Sequence, residues 1–188
     1  KNIYGNASPK LITVSRLDGR KSHQNILMSI KNLLPKFPNL KYVSIGDGDE
    51  RKNLEKLRKE LGLEKNVELI FSSTEQEKVG LLEQSDVFIM PSLLEGFGFP
   101  LAEAMACGTP VVSSNRSSLP EVGGEVPLYF DPEQESELRE AILRILENKS
   151  IRSRMKKEGP AQARTFTWKA HVDALIPLYE QVASGLPD

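Results

Sequence analysis

Two glutamates, two basic residues and a run of glycines carry the types and spacings that could do chemistry in this chain. Glu95 and Glu103, with seven residues between them, lie in Ser92–Val112, S-L-L-E-G-F-G-F-P-L-A-E-A-M-A-C-G-T-P-V-V. Gly96 and Gly98 would let the main chain approach a ligand closely and leave its N–H groups free as donors. Pro100 suits the first turn of a helix, and Glu103 follows in or near that turn. A carboxylate there can accept hydrogen bonds from two neighbouring hydroxyls, as a ribose or a hexose presents them. Glu95, in the loop before, would reach a different part of the same ligand. The alternative is plainer: Glu103 compensates a helix dipole and Glu95 is a surface carboxylate.

A second group is Ser15-Arg16-Leu17-Asp18-Gly19-Arg20-Lys21, placed between an apolar run and a helical stripe. Backbone N–H groups at a helix start make a natural anion site. Arg16 and Lys21 would add the positive charge that a diphosphate needs. The same residues also read as a solvated basic loop. A third group, Gly46-Asp47-Gly48-Asp49, falls short of G-x-G-x-x-G because Arg51 takes the last glycine position. Asp47 and Asp49 have the spacing of the Asp-x-Asp metal clamp of some sugar transferases. The favoured reading makes Asp49 a helix N-cap in a tight glycine turn, with no metal site. His23 admits a role beside a phosphate but reads as a surface histidine. Cys107, before Gly108 at a helix end, reads as a small core residue.

The elements that must position these groups alternate along the chain. Strands are expected at Lys10–Ser15, Leu40–Ile45, Asn66–Phe71, Asp86–Met90 and Pro110–Ser113, with a short sixth at Pro127–Phe130. Helices are expected at Lys21–Phe37, after Asp49 up to Gly62, at Glu75–Gln84 and at Phe99–Cys107. Three more follow at Pro132–Glu147, Ser150 to about Arg164 and Thr167 to about Ala183. In the last, Trp168, Leu175, Ile176 and Tyr179 read as packing residues, and Pro177 as a kink. The alternation implies an α/β fold, a doubly wound parallel (Rossmann-like) sheet with helices on both faces. Ligands then belong at the C-terminal ends of the strands, where all three groups lie.

Composition narrows the class. The chain has 188 residues, 25 Lys and Arg against 26 Asp and Glu, and a net charge of −1. That balance argues against a nonspecific nucleic-acid binder and for local anion binding. One cysteine and two histidines exclude an internal disulfide and disfavour a metal site. No apolar run approaches the roughly 18 residues of a membrane span, and a cytoplasmic setting is expected. Residue 1 is Lys, so the chain reads as a fragment: one domain over 1–188, with 1–9 as a linker remnant and 150–188 as C-terminal helices.

The segment E-G-F-G-F-P-L-A-E-A-M-A-C-G-T-P-V resembles the signature of retaining glycosyltransferase family 4. Ser15-Arg16-Leu17 with Lys21 resembles that family's phosphate loop, and Ile45-Gly46-Asp47-Gly48 its second-strand turn. Leu119-Pro120-Glu121-Val122 through Tyr129-Phe130-Asp131-Pro132 resembles the stretch after its fifth strand. Ser22 and Ser72 stand where the family often has glycine. The match runs from about residue 10 to 180. It implies one half of a GT-B fold, the C-terminal domain that binds a nucleotide-diphosphate sugar, with the N-terminal acceptor-binding domain absent.

By that resemblance Arg16 and Lys21 hold the donor diphosphate and Glu103 binds the ribose. Glu95, with Gly96, Phe97, Gly98 and Phe99, contacts the transferred sugar. Main-chain groups at Gly46, Ser72 and Ser73 face the base. No cofactor or protein-bound metal is implied, and any membrane association of the full enzyme would lie outside this chain. Two other classes stay open. A nonhydrolysing nucleotide-sugar epimerase would need a two-domain chain and its own acid–base residues. A noncatalytic binding module of receiver type would show an acidic pocket after the first strand, where this loop has Arg16, Arg20 and Lys21.

Overall fold

All six apolar runs expected as strands are strands in the computed structural model, which describes residues 3–185. They are β1 (Lys10–Val14), β2 (Lys41–Ile45), β3 (Val67–Ile70), β4 (Val87–Met90), β5 (Val111–Ser114) and β6 (Leu128–Phe130). They form one parallel sheet in the order β3-β2-β1-β4-β5-β6. The strand order reverses at β1 and β4, which pair through Leu11↔Val87 and Ile12↔Phe88. That switch point places the loops after β1 and β4 side by side. β4 and β5 are buried at every residue, as strands covered on both faces must be.

The helices are α1 (His23–Leu33), α2 (Arg51–Glu60), α3 (Glu75–Glu83), α4 (Phe99–Ala106), α5 (Leu119–Gly123), α6 (Glu135–Glu147), α7 (Lys149–Ala163) and α8 (Trp168–Ser184). α1 buries Ile26, Leu27, Ile30 and Leu33 on the expected stripe. It packs on α6, where Asn25 Nδ2 donates to the Pro132 carbonyl at 2.9 Å. α4 lies close against α7 at Gly159, where a Cβ would stand 3.0 Å from the Met105 carbonyl oxygen. Within the segment expected as a linker remnant, Tyr4 is buried and its hydroxyl bonds Ser85 Oγ at 2.6 Å.

Four expectations need correction. The first helix does not start at Lys21: Gly19–Lys21 form a 3-10 turn capped by Asp18, and Ser22 at φ 44° separates it from α1. Asp49 is not a helix cap, since Glu50 occupies that position without a side-chain bond, while Asp47 accepts from Gly48 N–H at 2.9 Å. α5 falls in a stretch read as irregular. The apolar residues of α8 do not pack here, because α8 buries none of its residues and Trp168 is 79% exposed. Among the described residues, no helix is long and apolar enough to cross a membrane.

Candidate functional site

Gly46 and Gly48 explain how the first two loops meet. A Cβ on Gly46 would overlap the Ser15 carbonyl oxygen, and one on Gly48 the Leu17 carbonyl oxygen. Gly46 also sits at φ 142°, a conformation that L side chains rarely adopt. With side chains absent, Leu17 N–H reaches the Asp47 carbonyl at 3.1 Å and Glu50 N–H the Leu17 carbonyl at 2.9 Å. The β2 turn thus braces the β1 loop from one side, and Gly46 N–H is spent on the Ile70 carbonyl.

The β4 loop braces it from the other side. Leu93 N–H donates to the Arg20 carbonyl at 2.7 Å, and Lys21 Nζ forms an ion pair with Glu95 Oε1. The two side chains are only 11% and 13% exposed. Ser92 Oγ donates to the same Oε1 at 2.7 Å, so Glu95 Oε2 has no partner among the described residues. Ser117 Oγ donates to the Glu95 carbonyl at 2.7 Å and Ser118 Oγ to the Phe97 carbonyl at 2.9 Å. These serines of the β5 loop fix a segment whose own side chains could not.

The main-chain N–H groups of Gly96, Phe97, Gly98 and Phe99 meet no acceptor among the described residues. They lead into the N-terminus of α4, where the helix dipole favours negative charge. Gly98 needs its lack of a side chain, since it sits at φ 97° and a Cβ would meet Leu119 Cδ2 at 2.7 Å. Gly96 faces open space, so packing does not account for it. Phe97 is locked between Phe99 and Phe166, with ring centroids 4.8 and 5.3 Å away, while Phe99 itself is 61% exposed.

Arg16 is exposed, and its guanidinium has no partner among the described residues. Glu103, on the first turns of α4, pairs with Lys78 of α3 at 2.9 Å. Ser72 and Ser73 lie in the loop between β3 and α3, which Thr74 opens with a capping box to Glu77. The structure therefore gathers Lys21, Glu95 and Gly96–Phe99 into one cleft edge. Gly46 lies on the bracing turn behind it, and Glu103, Ser72 and Ser73 lie on or beside α3 and α4.

His23 is not a surface histidine. It is buried, and its Nε2 lies 2.9 Å from Ser15 Oγ and 3.2 Å from the Arg16 carbonyl oxygen. Sequence gave no signal for this, because the burial comes from the β1 loop folding over the first turn of α1. Burial pushes the imidazole down to about 4, against the opposite pull of the Arg16 carbonyl. His23 is thus neutral near pH 7 and shapes the Arg16 turn instead of adding charge.

A pH dependence of stability follows from that shift. The unfolded chain takes up a proton at His23 near pH 6.5, the folded chain only near pH 4. The contribution is fully present above pH 6.5 and is lost as pH falls toward 4, about 3 kcal/mol in all. Denaturant titrations of wild type and His23→Gln at pH 7.5 and about 4.5 should show a steeper loss in wild type. Equal losses would contradict a neutral buried His23.

A family model for glycosyl transferases group 1 matches residues 3–162. The D-inositol 3-phosphate glycosyltransferase of Corynebacterium jeikeium (strain K411) is 31% identical over 178 residues, covering 90% of this chain and 42% of that protein. Among solved structures, a sucrose-phosphate synthase from Thermosynechococcus elongatus superposes with a TM-score of 0.81 at 27% identity, over 95% of this chain and 46% of that one. An α,α-trehalose-phosphate synthase (UDP-forming) from Burkholderia vietnamiensis superposes at 0.84 with 17% identity, over 96% and 46%. The chain spans less than half the length of each of these proteins.

Proposed function

The chain belongs to the group 1 glycosyl transferases and has the GT-B type of domain fold, and from that premise we propose that it is the donor-binding domain of a retaining, family 4 enzyme. It binds a nucleotide-diphosphate sugar at the C-terminal ends of its strands, and the complete enzyme transfers the hexose to an acceptor hydroxyl. The observation that carries this reading is the Lys21–Glu95 pair set beside the four unpartnered N–H groups of residues 96–99. A leaving diphosphate needs cationic and N–H donors, and a sugar needs a carboxylate acceptor within reach of them.

In this reading Arg16, Lys21 and the α4 N-terminus take up the negative charge that develops as the bond from the anomeric carbon to the phosphate oxygen breaks. Glu95 Oε2 accepts from sugar hydroxyls, and Glu103 from the ribose. The acceptor oxygen bonds the anomeric carbon on the face the phosphate leaves, and its proton passes to the departing phosphate oxygen. No resident metal is used, since the basic side chains supply the charge. The acceptor sits on a second domain of the complete enzyme, and the uncovered apolar face of α8 is available to such a neighbour. A mannose or glucose donor suits the range of relatives, which include a phosphatidyl-myo-inositol mannosyltransferase of Mycobacterium leprae (strain TN).

Calorimetric titration of UDP, GDP and ADP, with and without magnesium, tests the reading. One nucleotide is expected to bind independently of magnesium, while sugar transfer by residues 1–188 alone stays far below the roughly 1–10³ per second of ordinary enzymes. Binding of none of them at millimolar concentration, by this chain and by the complete enzyme alike, would overturn it.

A further inference from the structure

The carboxylate of Glu103 is held by a group that the donor reading leaves without a task. Lys78 Nζ stands 2.9 Å from Glu103 Oε2 and 2.9 Å from Glu75 Oε2. Its side chain is 12% exposed, against 40% for Glu103. Lys78 belongs to α3 and Glu103 to α4, so the contact ties the helix after the Ser72–Ser73 loop to the helix after the glycine loop. Burial alone would lower the ammonium's pKa, but the two carboxylates outweigh it and raise it. A half-exposed glutamate would otherwise rotate among several rotamers. An ionised carboxylate offers about four acceptor positions; Lys78 takes one on Oε2, and Oε1 has no partner among the described residues.

We propose that Lys78 is a positioning residue for nucleotide binding: anchored by Glu75, it fixes Oε2 of Glu103 so that the carboxylate presents its remaining lone pairs to the two vicinal hydroxyls of a ribose. The inference rests on the reading of Glu103 as the ribose acceptor. A single point of attachment matters because two hydroxyls must be met at once. A carboxylate pinned at one oxygen has already lost most of the freedom that binding would remove. Lys78 also offsets the negative charge that Glu103 would bring near a diphosphate. Releasing one side chain from such a fixed geometry corresponds to a loss of about 3- to 10-fold in affinity.

The test compares selectivity, because a purely structural tie between α3 and α4 would weaken all ligands alike. UDP, GDP and ADP, their 2′-deoxy counterparts and pyrophosphate are titrated into wild type, Lys78→Met, Lys78→Arg and Glu103→Gln. For the ribonucleotide that binds, Lys78→Met is expected to weaken affinity about 3- to 10-fold and to narrow its preference over the 2′-deoxy form. Pyrophosphate affinity is expected to stay within about twofold, and Lys78→Arg to restore the preference. Should Lys78→Met fold poorly, Lys78→Gln carries the same comparison. A preference unchanged by Lys78→Met but lowered by Glu103→Gln overturns the role of Lys78 alone. A preference unchanged by Glu103→Gln overturns the ribose reading and this inference with it.

Discussion

Methionine in place of Lys21 is expected to weaken nucleoside diphosphate binding about 10- to 150-fold and to lower turnover of the complete enzyme about 10²- to 10³-fold. Glutamine in place of Glu95 is expected to lower turnover to a similar degree while leaving that binding no weaker. The split follows from the ion pair between the two side chains. Lys21 is the phosphate partner, so its loss removes a charge-assisted contact in both the ground state and the transition state. Glu95 competes with the phosphate for the same ammonium, so losing its charge frees Lys21. What Glu95→Gln removes is the acceptor for the sugar.

Stability separates these effects from misfolding. Both side chains are nearly buried, and removing one partner of such a pair costs about 3 kcal/mol because the other charge is stranded. Ser92 Oγ remains on Glu95 and softens the loss in Lys21→Met. The double variant Lys21→Met/Glu95→Gln strands no charge and should recover most of the stability, without recovering turnover. Denaturant midpoints and calorimetry on the four proteins decide the matter. Nucleotide binding weakened equally by Glu95→Gln and Lys21→Met would place Glu95 on the phosphates and undo the division of roles.

The contrast between these residues shows what the amino-acid order could disclose. The strands were legible because each is a short apolar run buried on both faces, which admits few other readings. The loops at their C-terminal ends followed from the topology, so Arg16, Lys21, Glu95 and Glu103 could each be placed near a ligand. That Lys21 and Glu95 pair with each other was not legible. Their meeting depends on β1 and β4 being neighbours at the switch point, 74 residues apart in sequence. The burial of His23 is likewise tertiary, made by the carbonyl and hydroxyl of the β1 loop.

Other misreadings have local causes. α5 spans five residues with a proline at its start, too short for a stripe to show. Asp49 has a capping residue's chemistry, but Asp47 reaches the free N–H of Gly48 and forms a 3.6 Å pair with Arg51. The apolar stripe of α8 was read correctly as a stripe. Its cover is not among the described residues, so periodicity identified an apolar face without saying what it meets.

Arg16 provides the cleanest binding test, because nothing else in the fold depends on its side chain. Its guanidinium is exposed and unpartnered among the described residues, while its backbone carbonyl is held by His23. Truncation to alanine therefore strands no buried group, and stability should stay within about 0.5 kcal/mol of wild type. The lost contact is a charge-assisted one to phosphate, worth about 1.5–3 kcal/mol, so nucleoside diphosphate affinity should fall about 10- to 150-fold. Pyrophosphate should lose by the same factor, since the contact is to phosphate oxygens. Arg16→Lys should fall between, keeping the charge but losing the fork that meets two oxygens at once. Affinity untouched by Arg16→Ala in a calorimetric titration would remove the residue from the site. A loss confined to the nucleotide, with pyrophosphate unaffected, would move Arg16 from the diphosphate to the nucleoside and leave Lys21 as the phosphate's side-chain cation on that loop.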